Sequence, residues 1–136
     1  MPINDLPTLA ALRTRMQWHQ ERQRVLADNI ANSDTPAFKP RDLIEPKFDA
    51  SGRPAAGSPI GSLPMMRTST AHIAPPGGTE SFAPDRKGGF QTRPTGNAVN
   101  LEDEMLKVSS NQGSYAAATA LYTRSLGVLK TAIGKR

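Results

Sequence analysis

Apolar residues recur with helical spacing near the N-terminus of the chain. Alternating steps of three and four residues predict an amphipathic helix from about Leu6 to about Ala31, with Asp5 as its N-cap. Five of the seven positions in this stripe are apolar, as is typical of the a and d positions of a coiled coil. The stripe consists of Leu9, Leu12, Met16, His19, Gln23, Leu26 and Ile30.

A longer stripe with the same spacing lies near the C-terminus, and eight of its ten positions are apolar. Asn100 is a suitable N-cap, and the acidic residues 102–104 suit the positive end of a helix dipole. We therefore predict a second helix that begins at Leu101. Its stripe consists of Leu101, Met105, Val108, Gln112, Tyr115, Thr119, Tyr122, Leu126, Leu129 and Ile133.

The chain between the two stripes is rich in proline and glycine. Residues 35–97 hold ten of the twelve prolines and eight of the eleven glycines, a density typical of extended or disordered segments. The sequence therefore predicts a mainly α fold in three segments. These are an N-terminal helix in residues 1–35, a long irregular, partly β or disordered middle in residues 36–97, and a C-terminal helix in residues 98–136.

The two predicted helices have only each other to pack against, because the middle segment contains few large apolar residues. We therefore expect the N- and C-terminal helices to form an antiparallel coiled coil. One register sets Leu12 beside Leu126 and His19 beside Thr119. The last two side chains would then share a polar layer that fixes the alignment of the helices.

The second predicted helix contains a long stretch without charge. Residues 108–123, VSSNQGSYAAATALYT, include no acidic or basic side chain. A helix that buries one face normally carries charged residues on the others. The small side chains of this stretch instead allow neighbours to approach on several sides. The pattern therefore indicates self-assembly or insertion into a larger assembly, since one partner helix cannot cover every face.

Composition excludes several classes of function. The net charge of +5 is divided as 0 in residues 1–35, +3 in residues 36–97 and +2 in residues 98–136, so no segment is a basic arm. There is no cysteine, and neither histidine lies at metal-ligand spacing from a carboxylate cluster. We expect no catalytic residue, no cofactor and no metal. No apolar run is long enough to span a membrane, and the N-terminus lacks the pattern of a cleaved secretory signal.

Two other functions stay open at this point. Arg13, Arg15, Arg22 and Arg24 flank the first stripe, and a coiled coil carrying them could bind nucleic acid or an acidic surface. Such flanking positions are more often solvated or placed between subunits than used to bind phosphate. A type III effector or an export partner resembling a chaperone would share the helical composition.

The stretch LADNIANSDTPAFKPRD, residues 26–42, follows a heptad helix with an Asn-apolar-x-Asn motif at residues 29–32 and a Thr-Pro break at residues 35–36. It resembles the N-terminal signature of the flagellar axial proteins, the family that includes the rod proteins. Residues 96–133 look like the matching C-terminal helix of that family. Where such rod proteins often have Gly-Tyr after the proline, this chain has Ala37 and Phe38, which keeps the aromatic residue.

The resemblance implies a structural subunit of the proximal rod of the bacterial flagellar basal body, and no enzyme. Family members assemble through their terminal helices into a periplasmic shaft that transmits torque and forms the wall of the export channel. The implied partners are further copies of the chain, other rod proteins such as FlgC and FlgF, an adaptor like FliE, the vicinity of the MS ring and the flagellar type III export apparatus. Export of this kind uses no cleaved signal peptide, and a FlgC-like rod protein is the near alternative.

The asparagine motif leads to a specific hypothesis. Asn29 lies inside the predicted helix, where an amide side chain weakens the helix and gains nothing locally. We expect Asn29 and Asn32 to hydrogen-bond across a helix–helix or subunit boundary, while Pro36 turns the chain outward. The residues expected in assembly contacts are Leu26, Asn29, Ile30, Asn32, Thr35, Pro36, Met105, Val108, Gln112, Tyr115, Tyr122, Leu126 and Leu129.

Overall fold

The first helix, α1, spans Pro7–Ala31 in the computed structural model, which describes residues 6–49, 52, 82–85 and 92–134. Pro7 occupies the first turn, where its missing N–H leaves no helical hydrogen bond unmade. The N-cap is Leu6, which supplies no side-chain cap, so the prediction of Asp5 at this position is wrong. The helix ends at Ala31, and the backbone N–H of the C-cap residue Asn32 donates to carbonyls of the last turn.

The second helix, α2, spans Leu101–Ala132 and begins where the sequence predicted. The side-chain oxygen of Asn100 accepts a hydrogen bond from the backbone N–H of Glu102 at 3.2 Å. Acidic side chains occupy the first turn and Lys130 occupies the last turn. Both ends of α2 therefore match the helix dipole, and local sequence accounts for where the helix starts.

The helices α1 and α2 pack against each other in opposite directions, which confirms the predicted antiparallel pair. Asn29 near the end of α1 contacts Glu104 near the start of α2, and His19 earlier in α1 contacts Asn111 further along α2. Leu9 and Leu26 of the α1 stripe are buried, with Leu26 completely inaccessible to solvent, and the other apolar residues of the stripe are half-buried. Burial of a leucine of this kind stabilises the fold by about 1.5–3 kcal/mol.

The register of the helix pair differs from the predicted one. The Nδ1 atom of His19 lies 2.7 Å from Oδ1 of Asn111, whereas the Thr119 hydroxyl bonds to the Tyr115 carbonyl of its own helix. The partner of His19 is thus displaced by eight residues along α2, from position 119 to position 111. The pairing of His19 with Thr119 is wrong because Asn111, with both a donor and an acceptor, satisfies more of the buried polar groups.

The helix α2 is also rotated about its axis relative to the prediction. Its side toward α1 carries Glu104, Asn111 and Ala118, each at most 5% exposed. Met105 and Gln112 were predicted to face α1, but both are exposed, Met105 by 59%. Their predicted placement in the seam is wrong because the neighbouring polar residues at 104 and 111 take that place. The stripe residues that stay half-buried are Val108, Tyr115, Thr119, Tyr122, Leu126 and Leu129.

A small piece of sheet lies beside α1. Strand β1, Asp42–Leu43, pairs antiparallel with strand β2, Pro84–Asp85, and β1 also contacts α1. The partly β character predicted for the middle segment is confirmed, although the sequence did not locate the strands. Strands of two residues leave no alternating pattern long enough to detect.

The segments that flank the middle of the chain pair with each other at the base of the hairpin. The backbone N–H of Ala98 donates to the Phe38 carbonyl at 3.0 Å, and that of Ala37 donates to the Thr95 carbonyl at 3.2 Å. Residues 97–99 are buried directly before α2 begins. The chain therefore leaves α1 and enters α2 through one shared, hydrogen-bonded junction, while the three-segment division of the chain stays a prediction.

Candidate functional site

The side chain of Asn29 connects three parts of the chain. It is fully buried, and its amide nitrogen donates to the Arg41 carbonyl at 2.7 Å and to Oε2 of Glu104 at 2.8 Å. Its amide oxygen accepts a hydrogen bond from the Arg41 backbone N–H at 3.0 Å. The Asn29 side chain thus mimics a backbone peptide group toward residue 41 and also holds α2. The bond to Glu104 crosses the boundary between two helices of the same chain.

Glu104 is a carboxylate buried at the helix–helix contact, with 2% of its surface exposed. One oxygen accepts from Asn29, and the other accepts from the ammonium group of Lys107 at 2.7 Å. Burial of a carboxylate costs free energy unless hydrogen bonds and a countercharge compensate for its lost hydration, and here both are present. In the sequence, Glu104 is recognisable only as part of the acidic first turn of α2, and no local pattern indicates this contact.

The second asparagine of the motif closes the end of α1. The amide nitrogen of Asn32 donates to the Asp28 carbonyl at 2.8 Å, and its oxygen accepts from the Thr35 hydroxyl at 3.1 Å. These side-chain bonds are local, so within the chain Asn32 does not make the cross-boundary bond that was expected of its side chain. Thr35 and Pro36 are exposed just beyond it.

Asn97 binds the end of α1 from the far side of the middle segment. Its amide nitrogen donates to the carbonyls of Asn32 at 3.0 Å and Thr35 at 2.7 Å, and its oxygen accepts from the Val99 N–H at 2.7 Å. Both carbonyls lie in the turn directly after α1, so Asn97 ties the exit of α1 to the segment that leads into α2. In the sequence, the only local indication that Asn97 lies in a turn is that it follows a glycine.

The Pro36 break is followed by an unusual backbone conformation. Ala37 has a φ angle of +57°, in the left-handed region that residues with a side chain seldom adopt. Gly96 lies against it with φ of +80°, and a Cβ atom on Gly96 would lie 3.3 Å from the Cα atom of Ala37. A glycine at position 96 is therefore required both by its conformation and by the close approach of the two segments.

A second polar cluster lies further along the helix pair. The amide nitrogen of Asn111 donates to the His19 carbonyl at 2.9 Å and to Oε1 of Gln23 at 3.0 Å. Its oxygen must then accept from His19, so Nδ1 of the imidazole carries a proton. Asn111 and His19 are both buried. The cluster was not predicted, because Asn111 lies outside the apolar stripe of α2.

On another side of α1, Arg22 links the helix to β1. Its guanidinium makes two hydrogen bonds of 2.8 Å to the two carboxylate oxygens of Asp42, and it lies 5.2 Å from the ring centre of Trp18. Trp18 is 3% exposed and packs edge-on against His19. Its indole N–H has no acceptor among the described residues. The bidentate pair and the cation–π contact together fix the Arg22 side chain.

The ion pair shifts the pKa of both Arg22 and Asp42. Hydrogen bonding to Asp42 raises the pKa of Arg22 above its ordinary value. Burial acts to raise the pKa of Asp42, but the hydrogen bonds from Arg22 and the Leu43 N–H, with the Arg22 charge, hold the pKa of Asp42 below its ordinary value. Asp42 therefore stays ionised at neutral pH, and its contact with α1 is a charged one.

The outward side of α2 forms an exposed apolar surface, which we call the outer surface of α2. It carries Met105, Leu106, Leu121 and Val128, exposed by 59%, 69%, 56% and 63%. Gln112, Gly113, Ser114, Ala116, Ala117 and Ala120 are exposed on the same helix. Between Lys107 and Arg124 this helix presents no charge to solvent. Large exposed apolar side chains in this density are typical of a surface that another protein covers.

An open groove of about 270 Å³ lies where α1 and α2 meet. Leu12 and His19 line it from α1, and Ala117, Ala118 and Leu121 line it from α2. At its edge Arg15 forms an exposed ion pair with Glu45. The groove continues the apolar character of the outer surface of α2 toward the contact between the helices.

The described residues offer no cluster of metal ligands. Among them, no group of three or more His, Asp or Glu side chains is placed to hold a metal ion. In that part of the chain no helix combines the length and the apolar character needed to cross a bilayer. The features that remain are the polar junction around Asn29 and the outer surface of α2.

Comparison with known proteins decides which family has these features. Residues 9–39 match the family model described as flagella basal body rod protein. The matched residues are most of α1, the asparagine motif and the break after it. The flagellar basal body rod protein FlgB of Agrobacterium fabrum is 34% identical over 104 residues, which cover 73% of this chain and 72% of that protein.

The chain belongs to the flagellar basal body rod protein family. This confirms the family that residues 26–42 indicated. The relative from Agrobacterium fabrum carries the name FlgB. The matched region contains Asn29 and Asn32, so the α1 side of the junction lies in the part of the chain that the family model describes.

The contacts of Asn29 predict a marked effect of its removal on the fold of the chain itself. Asn29→Ala removes the partner of one buried Glu104 oxygen, Oε2, and of the Arg41 backbone N–H and carbonyl. We expect the free energy of unfolding to fall by about 1–3 kcal/mol, measured by urea denaturation followed by circular dichroism. Asn32→Ala is the matched control, because its side-chain bonds are local and exposed, and we expect a smaller loss. Equal losses in the two variants would contradict the assignment.

The low pKa of Asp42 predicts a dependence of stability on pH. Since the folded-state pKa is below the ordinary value of 3.8, the ion pair stabilises the fold above about pH 4, and this stabilisation is lost as pH falls through the folded-state pKa. Asp42→Asn should reduce stability by about 1–2 kcal/mol at pH 7, and the difference from wild type should shrink toward pH 3.

The control for this experiment is Glu45→Gln, which alters the exposed Arg15–Glu45 pair. We expect it to change stability little at either pH, because exposed ion pairs contribute little. A difference between Asp42→Asn and wild type that stays constant from pH 7 to pH 3 would show that the Asp42 charge is not what stabilises the contact.

Proposed function

We propose that this chain is a structural subunit of the proximal rod of the flagellar basal body, assembled through its terminal helices. The observation that carries the proposal is the outer surface of α2, which is long, uncharged between Lys107 and Arg124, and rich in exposed apolar side chains. Membership of the rod protein family supplies the assembly in which such a surface would be covered. Nothing in the described residues suggests a catalytic role.

The surface has the properties of a helix that packs against other helices. Leu106, Leu121 and Val128 can insert between side chains of a neighbour, while Gly113 and the exposed alanines allow close approach of its backbone. Of the residues expected in assembly contacts, Met105 and Gln112 lie on this surface. Leaving several large apolar side chains in water costs about 1.5–3 kcal/mol each relative to burial, which favours association with neighbouring subunits.

In the rod, we propose that the α1–α2 pair forms part of an inner layer that bounds the export channel and transmits torque. The two helices have about 25 and 32 residues and would extend roughly 38 and 48 Å along one axis. Antiparallel helices tied at the Asn29 junction resist sliding along that axis. Further copies of the chain, FlgC, FlgF, an adaptor like FliE and the vicinity of the MS ring are the proposed neighbours.

The proposed location is the periplasmic part of the basal body. The chain would reach it through the flagellar type III export apparatus, without a cleaved signal peptide. The match to a relative named FlgB favours this position in the rod over that of a FlgC-like protein. The absence of cysteine from the sequence leaves no disulfide to form after export.

The structure gives little support to the nucleic-acid alternative. Arg22 is held by Asp42 in a half-buried bidentate pair, and Arg15 lies 2.6 Å from Glu45. Arg24 lies 3.9 Å from Glu21. Three of the four arginines proposed for phosphate binding therefore have carboxylate neighbours within the chain, which reduces the positive potential that they offer to a polyanion.

The proposal is tested by deleting the gene in the bacterium that encodes this chain and restoring it with variants. We expect the deletion to remove assembled rods, hooks and filaments, as seen by electron microscopy of isolated basal bodies. Intact rods in the deletion strain would contradict the proposal. Complementation with the unaltered gene should restore swimming.

A charge placed on the outer surface of α2 should separate assembly from folding. Ala116→Glu should preserve the helical circular dichroism of the purified chain and its export, but reduce the number of rods at least about tenfold, because a buried unpaired charge is costly. Gln17→Glu, on the exposed and already charged side of α1, is the matched control and should keep rod assembly. Normal swimming with Ala116→Glu would show that this surface is not an assembly contact.

A further inference from the structure

The helix α2 presents two overlapping stripes, and only one of them can face α1. Both stripes contain a common set of residues, and they differ at the positions between them. At these positions the apolar stripe predicted from sequence has Met105, Gln112 and Thr119. The stripe that faces α1 has Glu104, Asn111 and Ala118 in their place. The shared residues are Val108, Tyr115, Tyr122 and Leu129. The chain thus buries a carboxylate and an amide where it could have buried a more apolar side of the same helix.

Polar partners from α1 accompany each of these buried polar residues. Glu104 meets Asn29, and Asn111 meets both His19 and Gln23, with donor–acceptor distances of 2.7–3.0 Å. We call these five side chains the polar ladder. Every contact in it joins a donor to an acceptor, and no like-with-like pair occurs among the described contacts.

The two stripes differ in how strictly they specify the alignment of the helices. Leucine, valine and tyrosine side chains can exchange partners along a seam at modest cost, because dispersion and apolar burial have little direction. A buried amide or carboxylate is satisfied only when its partner lies opposite, and displacement leaves both groups unpaired. Buried polar residues in coiled coils can fix register in this way at the expense of stability.

We propose that the polar ladder determines the register and rotation of α2 on α1, and thereby which side of α2 is left exposed. Without the ladder, α2 turns its apolar stripe inward and slides so that His19 lies opposite Thr119. Asn29 then lies opposite Ser109 in place of Glu104. The ladder keeps Met105 and Gln112 outside, and their use in assembly rests on the proposed function, whereas the register itself does not.

The register can be measured by distances between spin labels on the purified full chain at low concentration. We call the alignment with His19 opposite Thr119 the second register. Relative to the observed alignment, it displaces α2 along α1 by five to eight residues, which is about 8–12 Å at 1.5 Å per residue. The distance from position 27 to position 128 then shortens, and the distance from position 10 to position 106 lengthens by a similar amount. All four positions, Ala27, Val128, Ala10 and Leu106, are exposed, and the chain has no native cysteine to interfere with labelling.

The test variant is Glu104→Ala with Asn111→Ala, which removes the α2 half of the ladder and leaves the apolar stripe untouched. We expect both distances to shift in opposite directions, with the second register favoured by at least about tenfold over the first, since several buried hydrogen bonds are lost. Addition of Gln112→Leu strengthens the apolar stripe opposite Leu26 and provides a version with a better-packed second register. In this triple variant, both distances should take the values of the second register in all molecules.

Leu26→Ala is the control, because it removes a fully buried side chain of α1 that is not in the ladder. It should reduce stability and leave both distances unchanged. Unshifted distances in the ladder variants would overturn the proposal, and so would broad distributions without a defined second register in the variant that also carries Gln112→Leu. Loss of rods in a strain whose purified protein keeps its register would bear on the proposed function and leave the ladder intact.

Discussion

The hydrogen bonds of the Asn29 side chain are the interaction on which the rest of the described structure depends. One buried amide holds the backbone at residue 41 with its donor and acceptor together, and the same nitrogen binds the Glu104 carboxylate on α2. An apolar side chain at this position would pack, but it could satisfy neither the backbone groups nor the buried charge. The helix-weakening asparagine is therefore explained by contacts outside its own helix.

The junction around Asn29 also explains how the two helices are held together although a long segment rich in proline and glycine separates them in the sequence. Asn97, in the segment that leads into α2, binds the turn directly after α1, and Ala37 and Gly96 adopt left-handed conformations where the two segments touch. These contacts close the loop formed by the middle residues at its base. The helix pair can then leave the outer surface of α2 free for partners, because its own alignment is fixed by polar contacts on the inner side.

The sequence predicted well what depends on local chemistry. Helix α2 begins after Asn100, the stripe of α1 faces its partner, and the two helices run antiparallel. The register and the rotation of α2 were wrong, because heptad counting favours the most apolar stripe. The stripe that faces α1 contains Glu104 and Asn111, whose partners on α1 lie 75 and 92 residues away in the sequence. Likewise Asn97 and the Arg22–Asp42 pair depend on contacts that no local pattern encodes.

The most direct test of this account is a double-mutant cycle on Asn29 and Glu104, with the free energy of unfolding measured for wild type, Asn29→Ala, Glu104→Ala and the double variant. If the two side chains are one buried contact, the double variant should be less destabilised than the sum of the single variants by about 1–3 kcal/mol. Additivity within about 0.5 kcal/mol would mean that the side chains act independently, and would contradict the central role given to their contact.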